Sequence, residues 1–119
     1  MFRVYANAEI TQTVAAVGAS SSGQLEGICV EPFCPFAAGK YTVTALKALH
    51  GAKDPYVYII SDGSKTLLYA HDSDIFPDET WAYLRESGIR FDLVSMDCTE
   101  GAMESIPYQG HMCLGYNRI

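Results

Sequence analysis

Positive charge is scarce in this chain. Its 8 lysines and arginines stand against 14 aspartates and glutamates, for a formal net charge of −6. That balance repels nucleic-acid phosphates on average, although a local site holding metal ions still attracts a phosphate ester. Long apolar runs are missing too. None approaches the length of a membrane span and the N-terminal residues lack a signal-peptide pattern, so the expected location is cytoplasmic, with no membrane partner. The cysteines, Cys29, Cys34, Cys98 and Cys113, never form a C-x-x-C pair. Intracellular thiols suit them better than a disulfide framework or a structural zinc site. There is no glycine-rich phosphate loop, no G-x-S-x-G elbow and no basic aromatic stripe. Internal repeats and low-complexity segments are also absent.

What remains is a chain of 119 residues that is 49% hydrophobic and 18% charged, enough for one folded domain with its own core. Its organising stretch is 56–74. Residues 56–61 are rich in β-branched and aromatic side chains, Asp62-Gly63 offers the positive-φ positions of a two-residue hairpin, and 65–70 returns as a second strand. That strand runs out into His71-Asp72-Ser73-Asp74, and polar groups at the mouth of a buried strand are where chemistry usually sits.

The rest follows in order. Residues 2–6 read as a strand, and Asn7 as the cap of a helix from Ala8 to about Val17. A flexible loop is expected over 18–23, a strand over 27–30, and an irregular connection over 31–39, where Pro32 and Pro35 interrupt the pattern. Residues 41–49 read as a strand ending at His50. Asp78 or Thr80 starts a helix that presents Trp81 and Leu84 on one face and stops at Gly88. A buried strand is expected over 91–96, ending in Asp97, then a loop-like tail with a short helix near His111.

Three polar groups therefore fall at strand ends: His50, His71 with Asp72, and Asp97. Neutral imidazole and carboxylate suit Zn²⁺, Mn²⁺ or Fe²⁺, so His50 and Asp72 are a candidate ligand pair. Spacing alone equally allows hydrogen-bonded surface residues. His71 and Asp72 are adjacent and point to opposite faces of an extended strand, so His71 reads as a hydrogen-bonded, partly exposed residue. Asp74 reads as a turn or cap residue. Asp97 and His111 form a second candidate pair, in which a carboxylate holds an imidazole in one tautomer and raises its basicity. A surface aspartate and an unrelated loop histidine fit the same spacing. Cys98, beside the acidic Asp97, reads as a small buried residue rather than a nucleophile.

The order of these residues carries more than any one of them. His50 after a strand, a hairpin, Leu-Leu-Tyr-Ala-His-Asp72, then Phe-Asp-Leu-Val-Ser-Met-Asp97-Cys-Thr and Gly-His111-Met resemble the C-terminal part of a metallo-β-lactamase-fold hydrolase. The nearest branch is the phosphodiesterases related to the cyclic phosphodiesterase of phosphonate breakdown, with the transfer-RNA 3′-end-processing nucleases as close relatives. The resemblance covers the chain from about Tyr41 onward. It implies an α/β fold, of α+β type: a partial αββα sandwich with a dinuclear metal site at one edge. It implies that His50 and Asp72 bind metal, Asp72 bridging two Zn²⁺ or Mn²⁺ ions, and that Asp97 and His111 assist proton transfer. The implied function is a metal-dependent phosphodiesterase using a metal-bound hydroxide on a small cyclic or nucleotide-type phosphodiester. The family's H-x-H-x-D-H motif is not in this sequence, and its final metal-binding histidine lies downstream of His111. Residues 1–119 are accordingly expected to be one partial domain, a fragment. The alternative is a non-catalytic or degenerate half-domain that pairs with a complementing chain or a second copy. Either way an uncovered sheet face is expected to make the isolated chain oligomerise or be only marginally stable.

Overall fold

The structure, a computed structural model, describes residues 1–20, 23–104 and 110–118. The first unit is β1 (Phe2–Ala6), α1 (Ala8–Ser20) and β2 (Leu25–Cys29). The two strands pair in parallel, Phe2 opposite Leu25 through Ala6 opposite Cys29, so α1 is the crossover between them. Asn7 caps the helix as expected: its Oδ1 accepts the Ile10 N–H (2.9 Å). Its Nδ2 donates to the carbonyls of Lys53 and Asp54, tying this unit to that later segment.

α1 continues past Val17 to Ser20, so Gly18 lies inside the helix and does not open a loop. The reason is close packing. A Cβ at Gly18 would lie 2.8 Å from the Leu25 carbonyl oxygen, and one at Gly27 2.9 Å from that of Thr11. Both glycines let helix and strand approach.

The second unit is a five-stranded sheet in the order β3 (Pro35–Ala38), β4 (Tyr41–Lys47), β5 (Tyr56–Ser61), β6 (Thr66–Ala70), β7 (Leu93–Met96). Neighbours are antiparallel except β6 and β7, which run parallel with α2 (Asp78–Glu86) as their crossover. β3 overturns the irregular connection expected over 31–39. Pro35 is the first residue of an edge strand, where a missing N–H costs nothing.

The hairpin is present, but its loop has four residues, 62–65, because Ser61 pairs with Thr66. Asp62 Oδ1 accepts the N–H groups of both Ser64 and Lys65 at 2.9 Å, so a side chain closes the turn and Lys65 leaves the strand. Those two hydrogen bonds, with the one from the Ser64 hydroxyl, hold the Asp62 carboxyl at about 2, below the usual carboxylate range. Asp62→Ala is expected to speed amide exchange at Ser64 and Lys65. In the wild type the same loosening is expected to develop as pH falls from about 4, the ordinary aspartate value, toward about 2. NMR exchange rates that ignore both changes would remove this role.

β7 is not the buried strand expected over 91–96. It is the last strand of the sheet, and Leu93 and Val94 are 61% and 47% exposed. The tail forms turns, with no helix near His111 among the described residues. Residues 112–115 bond back to 100–103: Glu100 N–H to Met112 O, Leu114 N–H to Gly101 O, and Gly115 N–H to Met103 O. One sheet face packs Leu46, Val57, Ile59, Leu68 and Ala70 against Phe76 and Met112, with Trp81 and Leu84 of α2 joining them as expected. On the other face Tyr5 of β1 stacks on Phe36 (5.1 Å), while Tyr41, Tyr69 and Leu93 stay open.

Candidate active site

The pairing fixes which strand ends meet. β4 and β6 each run antiparallel to β5, and β7 runs parallel to β6, so β4, β6 and β7 all finish at one edge of the sheet. His50 lies just beyond β4, Asp72 just beyond β6, and Asp97 directly after β7. The tail then brings His111 back to that edge. Its Nδ1 lies 2.6 Å from Asp97 Oδ2, across 14 positions of sequence.

Backbone bonds stitch the edge together. Asp97 N–H donates to Ala70 O (2.7 Å) and Asp74 N–H to Leu49 O (2.8 Å). Asp72 takes a left-handed conformation, φ 53°, which breaks the strand. His71 remains exposed, with Nε2 2.7 Å from Ser95 Oγ and its ring against Tyr69, matching the expected hydrogen-bonded residue. Asp74 is a turn residue whose Oδ1 accepts its neighbour's N–H, that of Ile75 (2.7 Å). Cys98 departs from expectation: it is exposed, at a turn where its Sγ donates to Gly101 O.

Asp97 is 3% exposed and saturated with hydrogen bonds. Oδ1 accepts the Thr99 N–H (2.8 Å), and Oδ2 accepts the Ser73 N–H (3.3 Å) as well as His111. Asn117 Nδ2 donates to the Asp97 backbone carbonyl (2.7 Å). Burial pushes the carboxyl's pKa up, but the hydrogen bonds from His111 and Thr99 outweigh it and hold the group at about 2. The ionised carboxylate can only accept, so His111 Nδ1 carries a proton and Nε2 is the free position. The hydrogen bond to Asp97 raises the His111 pKa, burial opposes it, and the charges of Asp97, Asp72 and Glu100 add to the rise.

His50 is oriented in the same manner. Its Nδ1 lies 2.8 Å from the Gly110 carbonyl, which can only accept, so Nδ1 carries the proton and Nε2 is left as the lone-pair position. The two imidazoles meet edge to face, 5.2 Å between centroids. Gly110 makes this possible: a Cβ there would sit 2.8 Å from His50 Nδ1.

Asp72, Asp97 and His111 each present one ligand-capable atom, all within 4.8 Å of one another. His50 is not among these three; it stands beside them through the ring contact with His111. The donor chemistry, carboxylate and imidazole with Nδ1 already occupied, fits a divalent ion such as Zn²⁺ or Mn²⁺. Asp97 fits the orienting role better than the ligand role, because coordination would compete with its three donors. Sequence reading passed over Ser73, Gly110 and Asn117. The signals were slight: a serine after the aspartate and a glycine before the histidine.

No family model matches the chain. The Bacillus subtilis (strain 168) protein YhfI, described as a probable metallo-hydrolase, is 32% identical over 87 residues, which are 73% of this chain and 33% of that protein. The crystal structure of the metallo-β-lactamase fold protein YhfI superposes with a TM-score of 0.63 at 28% identity, covering 84% of this chain and 38% of that one. CmlA, a diiron β-hydroxylase from Streptomyces venezuelae, superposes with a TM-score of 0.54 at 18% identity over 77% of this chain and 19% of that one, a likeness of fold alone. The chain thus carries a metallo-β-lactamase-type fold, and it spans about a third of the length of the curated relative it matches.

Proposed function

We propose that the chain supplies part of the metal site and the acid–base pair of a metal-dependent hydrolase acting on phosphodiesters. The observation that carries this reading is the 2.6 Å hydrogen bond from His111 Nδ1 to the buried Asp97, at the same edge as Asp72. His50 through Nε2 and Asp72 through its carboxylate would hold metal, Zn²⁺ or Mn²⁺. Bound divalent ions supply Lewis-acid polarisation of a phosphoryl oxygen and a nucleophile at neutral pH.

The rest belongs to the chain's own side chains. Asp97 keeps His111 in the Nδ1–H tautomer and stabilises its charged form. The raised pKa keeps Nε2 protonated closer to neutral pH, so it can donate a proton to a leaving oxygen or a hydrogen bond to developing negative charge. A diiron hydroxylase shares the fold, so fold alone does not choose the reaction. A carboxylate–imidazole pair with a free Nε2 serves proton transfer, and this favours hydrolysis. The net charge of −6 favours a small nucleotide-type or cyclic phosphodiester over a long polyanion.

The second reading is a module that lacks turnover alone and works with a complementing chain. It draws on the small donor set among the described residues, Asp72, Asp97 and His111 with His50 beside them, too few for two ions.

Calorimetric titration of Zn²⁺ and Mn²⁺ separates these readings from a metal-free protein. The wild type is expected to bind stoichiometrically, and the His50→Ala, Asp72→Ala double variant at least about tenfold more weakly. Equal binding by both would sink the metal-site reading. With bis(p-nitrophenyl) phosphate, metal-dependent turnover that His111→Ala lowers roughly 10²–10⁴-fold supports the enzyme. Metal binding without turnover supports the module.

A further inference from the structure

We propose that Ser73 is the positioning residue that locks the loop carrying His50 to the end of β6. The proposal rests on the metal-site reading above. Ser73 is fully buried, 0% exposed, and lies between Asp72 and Asp74. Its hydroxyl does two things at once: it accepts the Leu49 N–H (3.2 Å) and donates to the Asp74 carbonyl (2.8 Å). Leu49 is the residue before His50, and its carbonyl accepts the Asp74 N–H (2.8 Å). The 49–50 loop is therefore held to the β6 end at both its backbone donor and its backbone acceptor, and one of those ties is a side chain.

A hydroxyl both accepts and donates strongly in this small space. Without it the part-buried Leu49 N–H loses its partner, and such a group shifts until it finds water. The tie matters because His50 has a second constraint at its ring, the Gly110 carbonyl. With that tie gone, the loop keeps only the Leu49 carbonyl bond to Asp74, and the imidazole only its bond to the Gly110 carbonyl. Asp72 gains as well. Its left-handed backbone, φ 53°, is costly for a residue with a side chain and persists where neighbours over-determine it.

Ser73 touches Asp97 differently. There the donor is its backbone N–H, which survives any side-chain substitution short of proline. The two contacts make the inference selective: removing the hydroxyl should disturb His50 and leave the His111–Asp97 pair in place. A purely structural serine would disturb both equally or neither.

The experiment is ¹⁵N-imidazole NMR with Co²⁺ titration on wild type, Ser73→Ala, Ser73→Thr and Thr80→Val. Thr80 is the matched control, an equally buried hydroxyl that donates to Lys47 O (2.7 Å) at the end of β4 and makes no bond to the 49–50 loop. In Ser73→Ala the His50 Nδ1–H signal is expected to exchange at least tenfold faster, the His111 signal to persist, and Co²⁺ affinity to fall tenfold or more. Ser73→Thr restores both readouts, and Thr80→Val changes neither. Should Ser73→Ala not fold, Ser73→Cys, whose sulfur is a weak acceptor, is read in its place. The proposal is overturned if the hydroxyl-free variant keeps the His50 signal and Co²⁺ affinity within twofold of wild type. It is equally overturned if both histidine signals fail together. A wild type that binds no Co²⁺ removes the metal-site reading instead, and Ser73 is then judged on the His50 and His111 signals alone.

Discussion

Gly110→Ala is expected to unseat His50, weaken metal binding by tenfold or more and lower stability by about 1–3 kcal/mol. Two independent effects add. Gly110 has φ 84°, a conformation that L side chains rarely adopt. Its missing Cβ also leaves the space in which the His50 ring lies: the added carbon would be 2.8 Å from Nδ1 and 3.3 Å from Cε1. The imidazole must swing away or the 110–111 backbone must move. Either change breaks the bond from His50 Nδ1 to the Gly110 carbonyl, which sets the tautomer and aims Nε2. The disturbance also reaches His111, the next residue, whose ring meets that of His50. Gly63→Ala is a suitable comparison, since Gly63 has φ 90° but nothing within 4 Å of an added Cβ. It should show the backbone cost without the loss of metal binding. Equal Zn²⁺ affinity in Gly110→Ala and wild type would contradict the close-approach argument.

Asp97→Asn is expected to be the most damaging conservative change. The carboxylate accepts from His111, Thr99 and Ser73 with no donor of its own. An amide must turn its NH₂ toward one of them. Facing His111, it forces the other tautomer and puts the proton on Nε2 of a neutral ring, where the proposed proton-donor role needs a charged one. Turnover is expected to fall roughly 10²–10⁴-fold, the range over which a positioned acid or base contributes. Facing Thr99, the NH₂ instead strands a backbone donor and loosens the edge of the sheet.

The pH dependence carries a signature with two limbs. The Asp97 pKa is depressed to about 2 in the folded chain, so its contribution is present above the unfolded value of about 3.9 and is lost as pH falls toward 2. The His111 pKa is raised, so its contribution is complete below about 6.5 and is lost as pH rises through the folded value. Together they place the pair's greatest stabilisation between roughly pH 4 and 6.5. Unfolding midpoints across pH 2.5–8 should show both limbs in the wild type and neither in Asp97→Asn. A variant that keeps both limbs would show that other groups produce them.

Much of the architecture was legible because it is written in local chemistry. Asn7 before Ala8 marked a helix start, Gly88 a helix stop, and the β-branched and aromatic runs at 41–49 and 56–61 marked strands. Two of the misreadings share one cause. Gly18 and Pro35 act locally as breakers, yet long-range packing against Leu25 and edge pairing with Thr44 turned the first into a helix residue and the second into a strand start. In the hairpin, Asp62 outcompeted the two-residue turn by offering its carboxylate to two backbone donors.

The candidate site divides the same way. The sequence by itself determined which groups end strands, His50, Asp72 and Asp97, because a strand and its terminus are set by neighbours a few residues apart. It also set the excess of carboxylates over cations. Only the tertiary structure decided that those three ends share one edge, since that follows from strand order and direction. It alone decided that His111 returns across 14 residues to Asp97, that the Gly110 carbonyl orients His50, and that a buried Ser73 joins two loops. Hydrogen bonds between distant segments leave no periodic trace in a sequence, because each partner satisfies its own local rules and the match between them exists only in the folded chain.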